Sequence, residues 1–162
     1  MPPADRMKPP ALDPASVAPV IGSDYPAIFK PAVAGRERRR LGDAAGLKNF
    51  GVNLTKLPPG CASSQRHWHT KQDEFVYELE GELVLVTNAG EQVLTAGMAA
   101  GFPAGQPDGH HLVNRGTRDA IFLEIGDRSP GDDGEYSDID MIWRCIDGDQ
   151  EIVYLHEDGT PY

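Results

Sequence analysis

Residues 67–87 read HWHTKQDEFVYELEGELVLVT, and this stretch decides the fold. Glu74 to Glu80 and Glu82 to Thr87 are β-branched and aromatic-rich runs of strand length, separated only by Gly81, so they read as consecutive strands. Downstream, Asn88-Ala-Gly90 turns the chain into Glu91 to Thr95, and Gly97 opens a short segment through Phe102. Pro103 to Gly109 is a loop, and His110 to Asn114 and Ala120 to Ile125 are two further strands. Upstream, Phe50 to Leu57 places Phe50, Val52 and Leu54 on one face, and Pro58-Pro59-Gly60 ends it. Strand signals recur about every ten residues, and no gap holds a 10-residue amphipathic helix. The remaining solution is an all-β jelly roll or closed barrel.

The flanks read differently. Residues 1 to about 25 are rich in Pro, Ala and Asp without periodicity and predict an extended or disordered arm. Arg36 to Leu41 fits a helical turn bounded by Gly35, Gly42 and Gly46. Gly126 to Ser137 gathers Asp127, Asp132, Asp133 and Glu135 among Gly and Pro, which reads as a solvated loop with no site. Asp138 to Arg144 and Glu151 to His156 predict one or two added strands. The expected organisation is a 1–47 arm, a 48–126 barrel core, and a 127–162 loop with strands packing on the same domain. A chain of 162 residues suits a single core.

The formal charge of −10 disfavours nucleic acid and anionic membranes as partners. Arg36, Arg38, Arg39 and Arg40 form one basic patch, but Glu37 interrupts it and no aromatic residue is interleaved, so it reads as a solvated segment or subunit contact. Met1 to Val20 contains six prolines and no apolar run of the kind a signal peptide needs, and no 18-residue apolar stretch occurs elsewhere. Cys61 and Cys145 make neither a disulfide framework nor a thiolate metal site, which points to a reducing cytoplasm and to small buried hydrophobes.

Four of the five histidines lie in two places, His67 with His69 and His110 with His111. Strand residues two apart face the same way, so His67 and His69 present both imidazoles to one side while Trp68 points to the other. Glu74 follows with enough chain for a loop that sets its carboxylate beside them. A lone His-x-His is more often structural than ligating. Here it is followed by Glu74 and Gly81, and then by a second block, Gly97-x5-Pro103-x-Gly105 and His110-x3-Asn114.

Across Gly60 to Asn114 the chain resembles the cupin superfamily, whose first motif runs Gly, His-x-His, Glu, Gly and whose second runs Gly, Pro-x-Gly, His, Asn. The resemblance implies a double-stranded β-helix, or jelly-roll barrel, with His67, His69, Glu74 and His110 as metal ligands and Gly81, Gly97, Pro103 and Gly105 as turn residues. Two spacings depart from the family's commonest pattern. Gly60 to His67 is one residue longer and Gly105 to the second-block histidine two longer, which leaves His110 and His111 as alternatives on opposite faces. Register with Asn114 and parity with Leu112 favour His110.

Three imidazoles and a carboxylate suit one divalent transition metal, Fe, Mn, Co, Ni or Zn. Around them, Gln65 shares parity with the histidines, Glu78 shares parity with Glu74 but lies ~13 Å along the strand, and Asn114 closes the second motif; these three are the candidate ligand-binding residues. The family includes isomerases, epimerases, dioxygenases, lyases and decarboxylases as well as non-catalytic sensors. The leading expectation is a metal acting as Lewis acid on a small oxygenated metabolite, with isomerisation of a sugar or sugar phosphate as one form. An Fe-dependent dioxygenase and a small-molecule sensor module are the alternatives. No inward Lys or Arg is evident, which weighs against a phosphorylated substrate. The resemblance also implies a homodimer, with the N-terminal arm crossing onto a partner.

Overall fold

Gly81 has φ +89°, and a Cβ on it would meet the Ala120 Cα at 2.9 Å. Only glycine turns the chain there without pushing the neighbouring strand away, so the two central strands can follow one another directly. The structure, a computed structural model, describes residues 8–146 and 151–162. The part of the expected arm over residues 1–7 lies outside them.

The described strands, in chain order, are β1 (Val20–Ile21), β2 (Glu37–Arg40), β3 (Phe50–Leu57), β4 (His67–His69), β5 (Glu74–Glu80) and β6 (Glu82–Thr87). They continue as β7 (Gly90–Thr95), β8 (Ala99–Phe102), β9 (His111–Val113), β10 (Ala120–Asp127), β11 (Gly134–Tyr136), β12 (Ile142–Ile146) and β13 (Glu151–Leu155). One short helix, α1 (Leu41–Ala44), is the α-helix of the described residues. No described helix is long and apolar enough to cross a membrane.

A six-stranded sheet in the order β1-β2-β3-β10-β5-β8 faces a three-stranded sheet, β7-β6-β9, and all the pairings with stated register are antiparallel. Between them lies a core of Leu57, Val76, Leu83, Leu85, Leu94, Leu112 and Phe122, all buried. Each such side chain contributes about 2 kcal/mol by leaving water. The alternation that buries Val76 turns Phe75 and Tyr77 outward, where they are 41% and 38% exposed. This is the jelly-roll barrel expected from the strand rhythm.

A third sheet, β13-β12-β11-β4, closes one side of the barrel. Its inner face and the incoming N-terminal segment share a second core of Tyr25, Val33, Ala62, Tyr136, Met141 and Trp143. Gly134 is essential to this packing in a specific way: a Cβ would lie 1.6 Å from the Trp143 ring, so the ring rests directly on the glycine backbone.

Three expectations for the flanks need correction. Arg36 to Leu41 is not a helical turn, because Glu37–Arg40 pairs with β1 on one edge and β3 on the other and the helix begins only at Leu41. The first 25 residues include a short 3-10 turn, Pro14–Ser16, and strand β1, and Tyr25 is buried. Gly126 to Ser137 is not simply solvated: it contains β11, which pairs with β4 in the register Gly134 to His69 and Tyr136 to His67. That pairing uses the backbone of the very residues that carry the imidazoles.

Candidate metal centre

The short strand β4 carries two of the cluster's side chains. His67 and His69 both face the barrel interior, with ring centroids 5.1 Å apart. On one flank β4 pairs with β11, and on the other His67 exchanges both backbone hydrogen bonds with His110, His67 N to O at 3.2 Å and His110 N to O at 2.9 Å. Residues directly opposite in an antiparallel pair point to the same face. His110 therefore joins the cluster and His111 turns away, its Nδ1 lying 2.9 Å from the Ser64 carbonyl.

The three Nε2 atoms converge on a single carboxylate oxygen. Glu74 Oε2 lies 3.5 Å from His67, 3.2 Å from His69 and 2.7 Å from His110. His67, His69 and Glu74 offer donor atoms all within 4.8 Å of one another, a grouping that can hold a metal ion. Burial would raise the Glu74 carboxyl, but the His110 hydrogen bond and the close approach of the His67 and His69 imidazoles hold it well below the usual carboxylate range. Two of the rings are also hydrogen-bonded from behind, while His110 Nδ1 is buried without a partner. His67 Nδ1 bonds the Gln65 carbonyl at 2.9 Å, and His69 Nδ1 bonds Asp132 Oδ2 at 2.6 Å. Trp143 packs edge-on against both rings, and Phe102 stacks flat on His110 at 3.5 Å.

Asp132 is the residue the sequence did not reveal. It is buried and accepts from the backbone N–H groups of Lys71 and Gln72 at 2.8 and 3.2 Å besides holding His69. Burial would push the His69 imidazole down, but Asp132 and Glu74 together raise it to about 10. The clue available in sequence was only an Asp within a Gly- and Pro-rich acidic run.

A metal fits this arrangement on structural grounds. His69 Nε2 is buried, and it lacks a hydrogen-bond partner of good geometry although its other nitrogen is satisfied. An orphaned nitrogen beside a carboxylate, in a ring whose far side is fixed, is the disposition of a ligand awaiting a cation. Imidazole and carboxylate donors suit a divalent transition metal.

The cluster opens into a cavity of about 350 Å³. Its lining includes Arg36, Arg38, Glu124, Tyr136 and Trp143. Arg36 and Arg38 correct two sequence expectations, that these two belong to a solvated segment or subunit contact and that no cation points inward, whereas Arg40 is exposed. Arg38 sits opposite Thr55 on β3, on the inner face, and its guanidinium lies 2.9 Å from Glu124. Arg36 is 6% exposed.

The three further candidates are not brought to this cavity. Gln65 donates its amide to the Phe29 carbonyl at 3.1 Å. Asn114 is buried and donates to the Leu57 and Arg118 carbonyls at 2.7 and 2.8 Å while accepting from Gly116 N–H, which makes it a turn former. Glu78 points inward but sits deep in the apolar part of the barrel beside a bulge between Ile121 and Phe122. Trp68, expected to face outward, is half-buried and lines a second, smaller hollow under the 103–109 loop.

A jelly-roll barrel that gathers three histidines and a glutamate on its cavity defines a class of β-barrel proteins whose site could hold a metal. Comparison with known proteins gives the family: residues 53–126 match the cupin domain model. A crystal structure of a sugar phosphate isomerase of the cupin superfamily from Silicibacter pomeroyi is 46% identical with a TM-score of 0.90, covering 94% of this chain and 96% of that one. A structure from Acidithiobacillus ferrooxidans is 28% identical with a TM-score of 0.71, over 80% and 81% of the two chains. The polyketide cyclase RemF from Streptomyces resistomycificus shares the fold, at 22% identity and a TM-score of 0.59, over 75% and 79%. No curated protein matches the chain. The chain belongs to the cupin superfamily.

Proposed function

We propose that this protein is a metal-dependent isomerase that exchanges a carbonyl with the adjacent alcohol of a small sugar, a sugar phosphate being the specific form. One observation carries the reading: the His67, His69, Glu74 and His110 cluster shares a single cavity with inward-facing arginines and with Glu124. The likeness to the Silicibacter pomeroyi protein, itself described as a sugar phosphate isomerase, supports it.

His67, His69, Glu74 and His110 would hold one divalent metal. When bound, that ion polarises a carbonyl oxygen as a Lewis acid. The chain's own contribution is proton transfer and positioning. Of the carboxylates lining the cavity, Glu74 belongs to the histidine cluster, Asp132 is committed to His69 and two backbone amides, and Asp24 accepts the Tyr154 hydroxyl at 3.1 Å. Glu124 faces the cavity and contacts no histidine of the cluster, its oxygens held by Arg38 at 2.9 and 3.1 Å and by the Asn53 amide at 3.4 Å. It accepts the proton from the hydroxyl-bearing carbon and returns it to the former carbonyl carbon. The hydroxyl proton passes to the former carbonyl oxygen, so the substrate is rearranged with no net oxidation.

The test is direct. Metal-loaded protein offered aldose and ketose phosphates shows interconversion by NMR; no turnover with any metal and any of these substrates removes the reading. A supporting prediction concerns Asp132. Replacing it with asparagine lowers metal affinity about 10- to 100-fold, because His69 loses the partner that fixes its ring. Competition with a chromophoric chelator measures this, and unchanged affinity would reduce Asp132 to a loop anchor.

A further inference from the structure

We propose that Arg36 is the recognition residue for an anionic group on the substrate, a phosphate or a carboxylate, bound in the cavity that holds the histidine cluster; the assignment rests on reading that cavity as a substrate site. Arg36 is held rigidly yet left electrically unpaired. Its two terminal nitrogens donate to the backbone carbonyls of Ser63 at 2.5 Å and Gly22 at 2.6 Å. Those acceptors are neutral, so they orient the guanidinium without cancelling its charge. The Nε is buried and has no hydrogen-bond partner.

Other arginines of the fold are matched differently. Arg38 pairs with Glu124, Arg66 with Asp138, Arg115 with Glu91 and Arg128 with Asp43. Among the described residues no carboxylate lies within ion-pair distance of Arg36. A buried cation without a counter-charge is costly. Burial and the neighbouring Arg38 push the Arg36 guanidinium down from its ordinary value, and Glu124, itself paired with Arg38, offsets only part of this. An entering anion relieves that cost, and in a site partly shielded from water it is attracted more strongly than at the surface.

The neighbourhood supplies a further donor. Ser63 is buried and lines the cavity, and its hydroxyl oxygen accepts the Leu112 N–H at 2.9 Å. Its own proton is left to donate. A fixed guanidinium with a hydroxyl beside it matches the planar, multi-oxygen geometry of phosphate and carboxylate alike.

The experiment uses the full chain loaded with zinc. Calorimetric titration with inorganic phosphate and, separately, with malonate distinguishes the two anion sources. At least one binds, and Arg36→Gln weakens it about 10- to 100-fold, the range for losing a charge-assisted hydrogen bond at a buried site. Arg36→Lys, which keeps the charge and loses the fork, falls between. Should Arg36→Gln not fold, the wild-type chain decides: the assigned Nε–H resonance of Arg36 shifts on adding the anion.

Loss of affinity in Arg36→Gln, or that shift, supports the subsite, and the better-bound anion names its chemistry. Unchanged affinity in the variant, an unmoved Nε–H resonance, or no binding of either anion overturns it. Failure of the isomerase reading looks different, since there the anion binds through Arg36 while no sugar phosphate is turned over. Turnover with an unchanged KM in Arg36→Gln removes the subsite alone.

Discussion

Replacing Glu124 with glutamine is expected to lower kcat about a thousandfold on a phosphorylated aldose or ketose, while metal content stays that of the wild type. The magnitude is that of a positioned acid–base group. The split follows from geometry: Glu124 lines the cavity on β10 and bonds Arg38 rather than any histidine of the cluster. Glutamine keeps the shape and an acceptor for Arg38 but cannot take a proton from carbon. A structural role would give another pattern, a lower melting temperature and a raised KM with kcat preserved. Steady-state kinetics beside thermal melts tell them apart.

The second large effect is on stability and runs against the usual direction of core mutations. Glu78 is 1% exposed, and neither carboxylate oxygen has a hydrogen-bond partner. Burial alone pushes its pKa up to about 8, so at neutral pH the folded protein carries the acid protonated. The unfolded chain releases that proton near pH 4.5. Between about pH 4.5 and 8 the unfolded state therefore binds fewer protons than the folded one, and this group erodes stability as pH rises, by about 1.4 kcal/mol per unit. Above about pH 8 both states are ionised and the deficit stops growing. Glu78→Met, of similar volume and apolar, is expected to be more stable by about 3 kcal/mol at pH 7. Urea denaturation at pH 5, 7 and 8 should show the gap between variant and wild type widening with pH. A gap independent of pH would mean that Glu78 is ionised or partnered in the folded state.

What the sequence disclosed and what it hid divide along physical lines. The cluster was legible because strand geometry has period two: His67 and His69 share a face whatever the rest of the chain does, and His110 follows once it lies opposite His67. Gly81 was legible because a turn between adjacent strands leaves a local mark. Asp132 was not. Its contact with His69 spans 63 residues and depends on β11 pairing with β4, and an acidic run among glycines carries no sign of burial. Arg36 and Arg38 were hidden for a related reason. A strand with charges on both faces looks like solvated chain, and only the pairing of β2 with β3 shows that Arg38 shares the inner face with Thr55.

Gln65 and Asn114 carry the opposite lesson. Parity and motif register placed them near the site, yet backbone carbonyls had first claim on their amides. Asn114 has its whole amide engaged, and Gln65 spends one amide hydrogen on Phe29.

A metal held by the histidine cluster is the central assignment, and metal content tests it most directly. Protein purified without a histidine tag, incubated with Zn, Mn, Fe or Ni and freed of excess ion, is predicted to retain about one divalent ion per chain. His67→Ala, still folded by circular dichroism, is predicted to retain almost none. An unchanged metal content in His67→Ala, or no retained ion in the wild type under any of these conditions, would contradict the assignment.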